Sequence, residues 1–194
     1  MLNEGLNKRE IQRILEQKLS SDCSYNSGYI LGSMCTDAHE FGKKIYCKYI
    51  DKNLGDPGLF PGTAELEDEL VREIGELFNG RDIIGSFTTG GSEANLIAMR
   101  IAKKLRPDID DPNVVLPISA HMSFDKAADF LNIKLKKAKL KPNFELDTEH
   151  FKSLIDEKTC GVVGIAGTTS LGLVDPISQI GKFIHEKDIF FHVD

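Results

Sequence analysis

The sequence predicts an α/β domain with a mainly parallel sheet covered by helices on both faces. Three observations carry that reading. Short β-branched or apolar runs recur at residues 83–88, 114–118, 133–135, 161–165 and 189–193, and segments of helical period separate most of them. Strands joined in this way pair in parallel and need cover on both faces. Finally, Thr88-Thr89-Gly90-Gly91-Ser92-Glu93-Ala94-Asn95 places two glycines and a hydroxyl where a strand should turn into a helix.

A first helix is predicted over 8–19, capped by Asn7, with Glu10 closing a capping box and Ile11, Ile14, Leu15 and Lys18 supplying the period. Residues 20–34 read as irregular and 41–52 as a helix. Residues 53–62 must form a loop, since they hold Gly55, Asp56-Pro57-Gly58 and Pro61-Gly62. The next helix is expected to be capped by Thr63, to bury Leu66, Leu70, Ile74, Leu77 and Phe78, and to end at Asn79-Gly80. After Ser92, which is read as N-cap or phosphate donor, the apolar stripe is Ala94, Ile97, Ala98, Ile101 and Leu105. Asp175-Pro176 predicts a helix start with an aspartate cap, leading through Ile177, Ile180 and Ile184. The organisation expected is an N-terminal segment over 1–62, then the first part of a large domain over 63–194.

With 194 residues and 41% hydrophobic content the chain can bury one sizeable core. A net charge of −6 argues against nucleic-acid and anionic-membrane partners, which select basic surfaces. The lysines between 134 and 141 read as a solvated face. Cys23, Cys35, Cys47 and Cys160 have neither paired zinc spacing nor the density of a disulfide scaffold, so free thiols and no metal site are expected. No basic leader followed by an apolar core and no membrane span is read, which predicts a cytoplasmic protein.

The Gly90-Gly91-Ser92 turn has the layout of a phosphate cradle: glycines let backbone N–H groups converge on an anion, and a helix start adds partial positive charge. The same layout also serves as a plain capped turn. Asp194, closing an apolar strand, either caps the next element or faces a buried cation. His192 lies two residues earlier and so on the same strand face. In parallel α/β sheets ligands gather outside the carboxyl ends of the strands, where each of these motifs is expected.

In order and rough spacing, Thr88 to Asn95, Ser119-Ala120-His121-Met122-Ser123-Phe124, Gly164-Ile165-Ala166-Gly167-Thr168-Thr169 and His192-Val193-Asp194 resemble the group II pyridoxal-phosphate decarboxylases. Gly32-Ser33-Met34-Cys35 and Asn53-Leu54-Gly55-Asp56-Pro57-Gly58-Leu59-Phe60 narrow the likeness to the archaeal branch that acts on L-tyrosine or L-aspartate. The resemblance implies a fold-type I large domain and pyridoxal 5'-phosphate as cofactor. It also implies decarboxylation of tyrosine to tyramine for methanofuran, or of aspartate to β-alanine for coenzyme A, with tyrosine slightly favoured by the segment from Tyr25-Asn26-Ser27-Gly28 to Thr36.

By the same resemblance Gly90, Gly91 and Ser92 hold the phosphate, and His121 stacks on the cofactor ring. Thr168 or Thr169 bonds a cofactor or substrate oxygen. Asp194 pairs with the pyridine nitrogen, and His192 stands behind that aspartate or is a satisfied buried histidine. Ser33, Cys35, Leu59 and Phe60 line a substrate pocket near a homodimer interface. The family's Schiff-base lysine lies beyond the His-Val-Asp strand, and the sequence given stops at Asp194, so the chain as given is expected to be inactive. Lys126 is no substitute, because it falls inside a predicted helix beside Asp125. A binding module of the same fold, or another fold-type I enzyme such as a cysteine desulfurase or aldol-type lyase, are the alternatives.

Overall fold

The computed structural model describes residues 5–30 and 36–194, in two units, Met1–Ala64 and Glu65–Asp194. The first unit is helical. Helix α1, Lys8–Leu19, carries the predicted capping box: Asn7 Oδ1 accepts the amides of Arg9 and Glu10, and Glu10 Oε2 accepts the Asn7 N–H at 3.0 Å. Helix α2, Glu40–Lys48, starts one residue earlier than predicted because His39 Nδ1 accepts the Phe41 amide. It stops four residues sooner, where Tyr49 leaves helical geometry. In the loop that follows, Asn53 and Asp56 turn their side chains onto the amides of Gly55 and Gly58, each at 2.9 Å, so the chain bends without a ladder.

Helix α3, Pro61–Leu77, starts two residues before the predicted Thr63 cap, with proline in the first position and the Phe60 carbonyl accepting the amides of Thr63 and Ala64. Asn79, at φ 57°, takes the left-handed position after it, and the Gly80 amide returns to the Gly75 carbonyl. The predicted apolar stripe of α3 is not buried in the described structure: Leu66, Leu70, Ile74, Leu77 and Phe78 are all exposed.

The second unit holds helix α4 (Gly91–Leu105), strand β1 (Asn113–Pro117), helix α5 (Ser123–Leu131), strand β2 (Lys134–Ala138), helix α6 (Thr148–Ser153), strand β3 (Thr159–Gly164), helix α7 (Ile177–Ile184) and strand β4 (Phe190–Val193). The strands form one parallel sheet in the order β2-β1-β3-β4. Side chains alternate across it. Val114, Leu116 and Val163 enter one core with Met99, Ala102 and Phe124 of α4 and α5, whereas Val115 and Val162 enter another with Phe151, Ile180 and Ile184 of α6 and α7. Both faces are therefore covered, as the alternation of runs predicts.

Three expectations need correction. Residues 83–88 are not a strand: they have no ladder partner among the described residues, Ile84 is 95% exposed, and the Phe87 amide donates to Glu67 Oε1 instead. A run of β-formers becomes a strand only where a neighbouring strand takes its backbone groups. Helix α4 buries Asn95, Ala98, Met99 and Ala102, while Ile97, Ile101 and Leu105 stay exposed. It seats its small-residue face because it lies close on the sheet: a Cβ on Gly161 would stand 3.0 Å from the Ala102 Cβ. Asp175 does not cap α7. Pro176 holds that position, and the carboxylate turns back to the Ile165 amide.

The lysines of edge strand β2 behave as a solvated face with partners. Lys134 pairs with Asp111, Lys136 with Asp156 and Lys137 with Asp125. Charges on an exposed edge also discourage pairing with another chain.

Candidate active site

The predicted site residues of the second unit gather at the carboxyl ends of β1, β3 and β4 and at the start of α4. Gly90 is the N-cap of α4, at φ 156° and ψ 172°, a region open essentially to glycine. Ser92 is thus in the first turn and is not the cap. The Gly90 carbonyl accepts the amides of Glu93 and Ala94, while those of Gly91 and Ser92 have no acceptor among the described residues. A Cβ at Gly90 or Gly91 would meet nothing within 4 Å, so the cradle opens to solvent. Glu93 Oε2 accepts both the amide and the hydroxyl of Thr89 at 2.7 Å. Those two bonds, the amide's first, hold its carboxyl below the ordinary range and fix the loop that leads into the cradle.

His121 follows β1 and lies two residues before the start of α5. Its Nδ1 accepts the Ser123 amide at 3.2 Å and lies 3.0 Å from Ser123 Oγ. Ser123 Oγ in turn accepts from Asn95 Nδ2 at 3.0 Å. The Asn95 Oδ1 is 2.8 Å from His192 Nε2 on β4. Asn95 and Ser123 are each only 3% exposed, so this four-residue chain runs through desolvated ground from one strand end to another. The buried Phe124 ring lies beside its end, 6.0 Å from the His192 ring and tilted by 60°. Burial lowers the pKa of His192, and the Asp194 carboxylate partly opposes this.

Neither Asn95 nor Ser123 stands out as functional in the sequence, although both lie inside the motifs named above. The one signal was Asn95 itself: it shares the buried face of α4 with Ala98, Met99 and Ala102, where a polar side chain needs a partner.

Asp194 continues the ladder beyond β4, its amide donating to the Gly164 carbonyl and its own carbonyl accepting from Ala166. Its side chain is on the His192 face of the strand. Thr168 is buried and serves its own loop: its hydroxyl oxygen accepts the Leu173 amide and its carbonyl accepts that of Gly172. Thr169 is exposed. Leu59, 72% exposed, and Phe60, with the Lys52 ammonium 5.9 Å from its ring centre, belong to the first unit. Ser33 and Cys35 lie outside the described residues. Lys126 is exposed on α5. Ser119 Oγ, two residues past the end of β1, is buried and has no hydrogen-bond partner among the described residues.

Cys23, Cys47 and Cys160 are free, and among the described residues no cluster of three or more His, Cys, Asp or Glu could hold a metal ion. None of the described helices is long and apolar enough to cross a membrane.

Comparison with known proteins gives this geometry its family. The model of the aminotransferase class-V family matches residues 64–194. The chain is 46% identical over 171 residues to a Methanothermobacter thermautotrophicus protein named a probable L-tyrosine/L-aspartate decarboxylase, covering 88% of this chain and 47% of that one. It is 44% identical over 191 residues to a probable L-aspartate decarboxylase of Pyrococcus furiosus, covering 98% and 51%. To an L-aspartate/L-glutamate decarboxylase of Pyrococcus horikoshii it is 42% identical over 190 residues, covering 98% and 49%. The chain thus spans about half the length of the curated relatives it matches.

Among solved structures, a Lactobacillus brevis glutamate decarboxylase (TM-score 0.87) and a Burkholderia pseudomallei sphingosine-1-phosphate lyase (0.83) each share 23% identity and cover all of this chain and 48% of their own. At that identity the likeness is one of fold.

Pyridoxal phosphate is the cofactor this kinship implies, and the residues present fit it. Two free amides at the start of a 15-residue helix suit a phosphate, the open glycines leave it room, and a histidine ring and a carboxylate follow β1 and β4, the strands on either side of β3. With two thirds of its length matched and the site at the strand ends where the fold places ligands, the chain belongs to the aminotransferase class-V family.

Proposed function

We propose that this chain forms the cofactor-binding part of a pyridoxal-phosphate-dependent decarboxylase acting on a small L-amino acid. The observation that carries the reading is the convergence of the α4 cradle, His121 and the His192–Asp194 pair at one end of the sheet.

The bound cofactor supplies a ring that accepts the electron pair left behind when the Cα–carboxylate bond breaks, CO₂ departs and a proton is added at Cα. The Gly91 and Ser92 amides hold its phosphate, with the Ser92 hydroxyl within reach. His121 would stack on one ring face and hold the ring in a fixed orientation. Asp194 presents negative charge to the ring nitrogen and so favours its protonated form. His192 stands two residues before that carboxylate on the same strand face, and burial favours its neutral form.

Aspartate is the substrate common to the names of the three relatives above, which favours decarboxylation to β-alanine, a precursor for coenzyme A. Decarboxylation of tyrosine to tyramine, as for methanofuran, is the second reading, favoured by the relative at 46% identity. A cytoplasmic homodimer belongs to the same reading and rests on family resemblance. The test is CO₂ release by the full encoded polypeptide, loaded with pyridoxal phosphate, from L-aspartate, L-tyrosine and L-glutamate in parallel. Release from aspartate with a kcat/KM at least tenfold above the others is expected, and no release from any of the three would overturn the reading.

A further inference from the structure

The hydrogen bonds that join His121, Ser123, Asn95 and His192 allow only one direction of donation. The Ser123 backbone N–H points at His121 Nδ1, so that nitrogen must offer its lone pair. The Ser123 hydroxyl, 3.0 Å from the same nitrogen, must then donate to it. A hydroxyl has one proton, so toward Asn95 it can only accept, and the Asn95 amide must present Nδ2 there. That leaves Asn95 Oδ1 facing His192 Nε2, which must carry hydrogen. One backbone amide therefore sets the orientation of a side-chain amide and the tautomers of two histidines, the second of them 97 residues away from Asn95 in sequence.

We propose that Asn95 and Ser123 are positioning residues that pass a single hydrogen-bond direction from the turn before α5 to β4, holding His121 and His192 both as the Nε2–H tautomer with their rings in fixed planes. Because both bridging residues are buried, no water competes for these bonds, and a reversed amide would leave a donor facing a donor. His121 then carries its proton on Nε2, and His192 keeps its Nδ1 lone pair. The role of this arrangement in catalysis rests on the decarboxylase reading; the arrangement itself does not.

The test begins with the cofactor-free full polypeptide labelled with ¹⁵N-histidine. Two-bond ¹⁵N–¹H correlation spectra separate the two tautomers, with signals assigned from their loss in His121→Gln and His192→Gln. Both rings are expected as Nε2–H. In Ser123→Ala, which touches His192 only through Asn95, the Asn95 amide loses its orienting partner, and His192 should show the Nδ1–H form as well. Ser123→Thr, which keeps the hydroxyl, should restore the parent spectrum.

An Nδ1–H signal from either ring in the parent would overturn the proposal without any variant, and an unchanged His192 in folded Ser123→Ala would do the same. In the loaded protein Ser123→Ala should lower kcat about tenfold with KM nearly unchanged, and Ser123→Thr should recover it. If the tautomers are as expected but no CO₂ is released, the relay stands and the decarboxylase reading falls. If CO₂ is released but the tautomers differ, the relay falls and the decarboxylase reading stands.

Discussion

The Asp175 carboxylate accepts the Ile165 amide at 2.8 Å, while the Asp175 amide donates to the Ile165 carbonyl, also at 2.8 Å. This clasp closes the loop that carries Gly167, Thr168 and Thr169 at the end of β3. Asp175 is buried, and its desolvation raises the carboxyl pKa, with the Ile165 bond opposing. A folded-state pKa raised above the unfolded value means that stability is fully present below the unfolded pKa and is lost as pH rises through the folded one. Asp175→Asn keeps an acceptor for Ile165 but cannot ionise. The difference in melting temperature, variant minus parent, should therefore grow as pH rises from about 3 through the raised pKa and then level off. A difference that is flat or falls with pH would show that the carboxylate is not penalised.

Asp156 gives the opposite sign. Lys136 first, then the Asn113 and Thr159 side chains, hold its carboxyl well below the carboxylate range. Its contribution is present above the unfolded pKa and fades as pH falls through the folded one. Asp156→Asn should destabilise at pH 7, with the deficit shrinking below about pH 4. The side chain is half exposed, so the deficit should be no more than ~1 kcal/mol and should weaken in high salt. Denaturant titrations at pH 3 and pH 7 would settle both sign and size.

Around the α4 cradle, loss of binding should separate from loss of fold. Gly91 and Ser92 are exposed, and a Cβ at Gly91 meets nothing. Gly91→Val with Ser92→Ala should leave the melting temperature of the cofactor-free protein close to that of the parent. Its affinity for pyridoxal phosphate should fall at least tenfold, ~1.4 kcal/mol, in a spectrophotometric titration of the full polypeptide. Unchanged affinity would place the phosphate elsewhere.

At Asp194 the expectation concerns the chemical step. Asp194→Asn removes the charge that favours the protonated ring while leaving the cradle intact, so cofactor should still bind and decarboxylation should fall by two or more orders of magnitude, at least ~2.7 kcal/mol in barrier. Turnover within tenfold of the parent would remove Asp194 from the role proposed for it.

What the sequence by itself determined was local. The Asn7–Glu10 capping box, the loop predicted over 53–62 as far as Phe60, the alternation that predicts a parallel sheet and the Gly90-Gly91 turn can all be read because their causes lie within a few residues: a cap, a turn side chain, a period of two or 3.6. Tertiary structure decided the rest. Helix α4 buries Ala98, Met99 and Ala102 and leaves Ile97 and Ile101 exposed, because its close approach to Gly161 at Ala102 turns that face, and not the isoleucine stripe, to the sheet. Residues 83–88 have β-forming side chains but no neighbouring strand among the described residues, and a ladder takes two. Asn95 and Ser123 are joined because folding brings them within 3.0 Å of each other in a buried place, where every donor must find an acceptor, and that pairing is written in no local pattern.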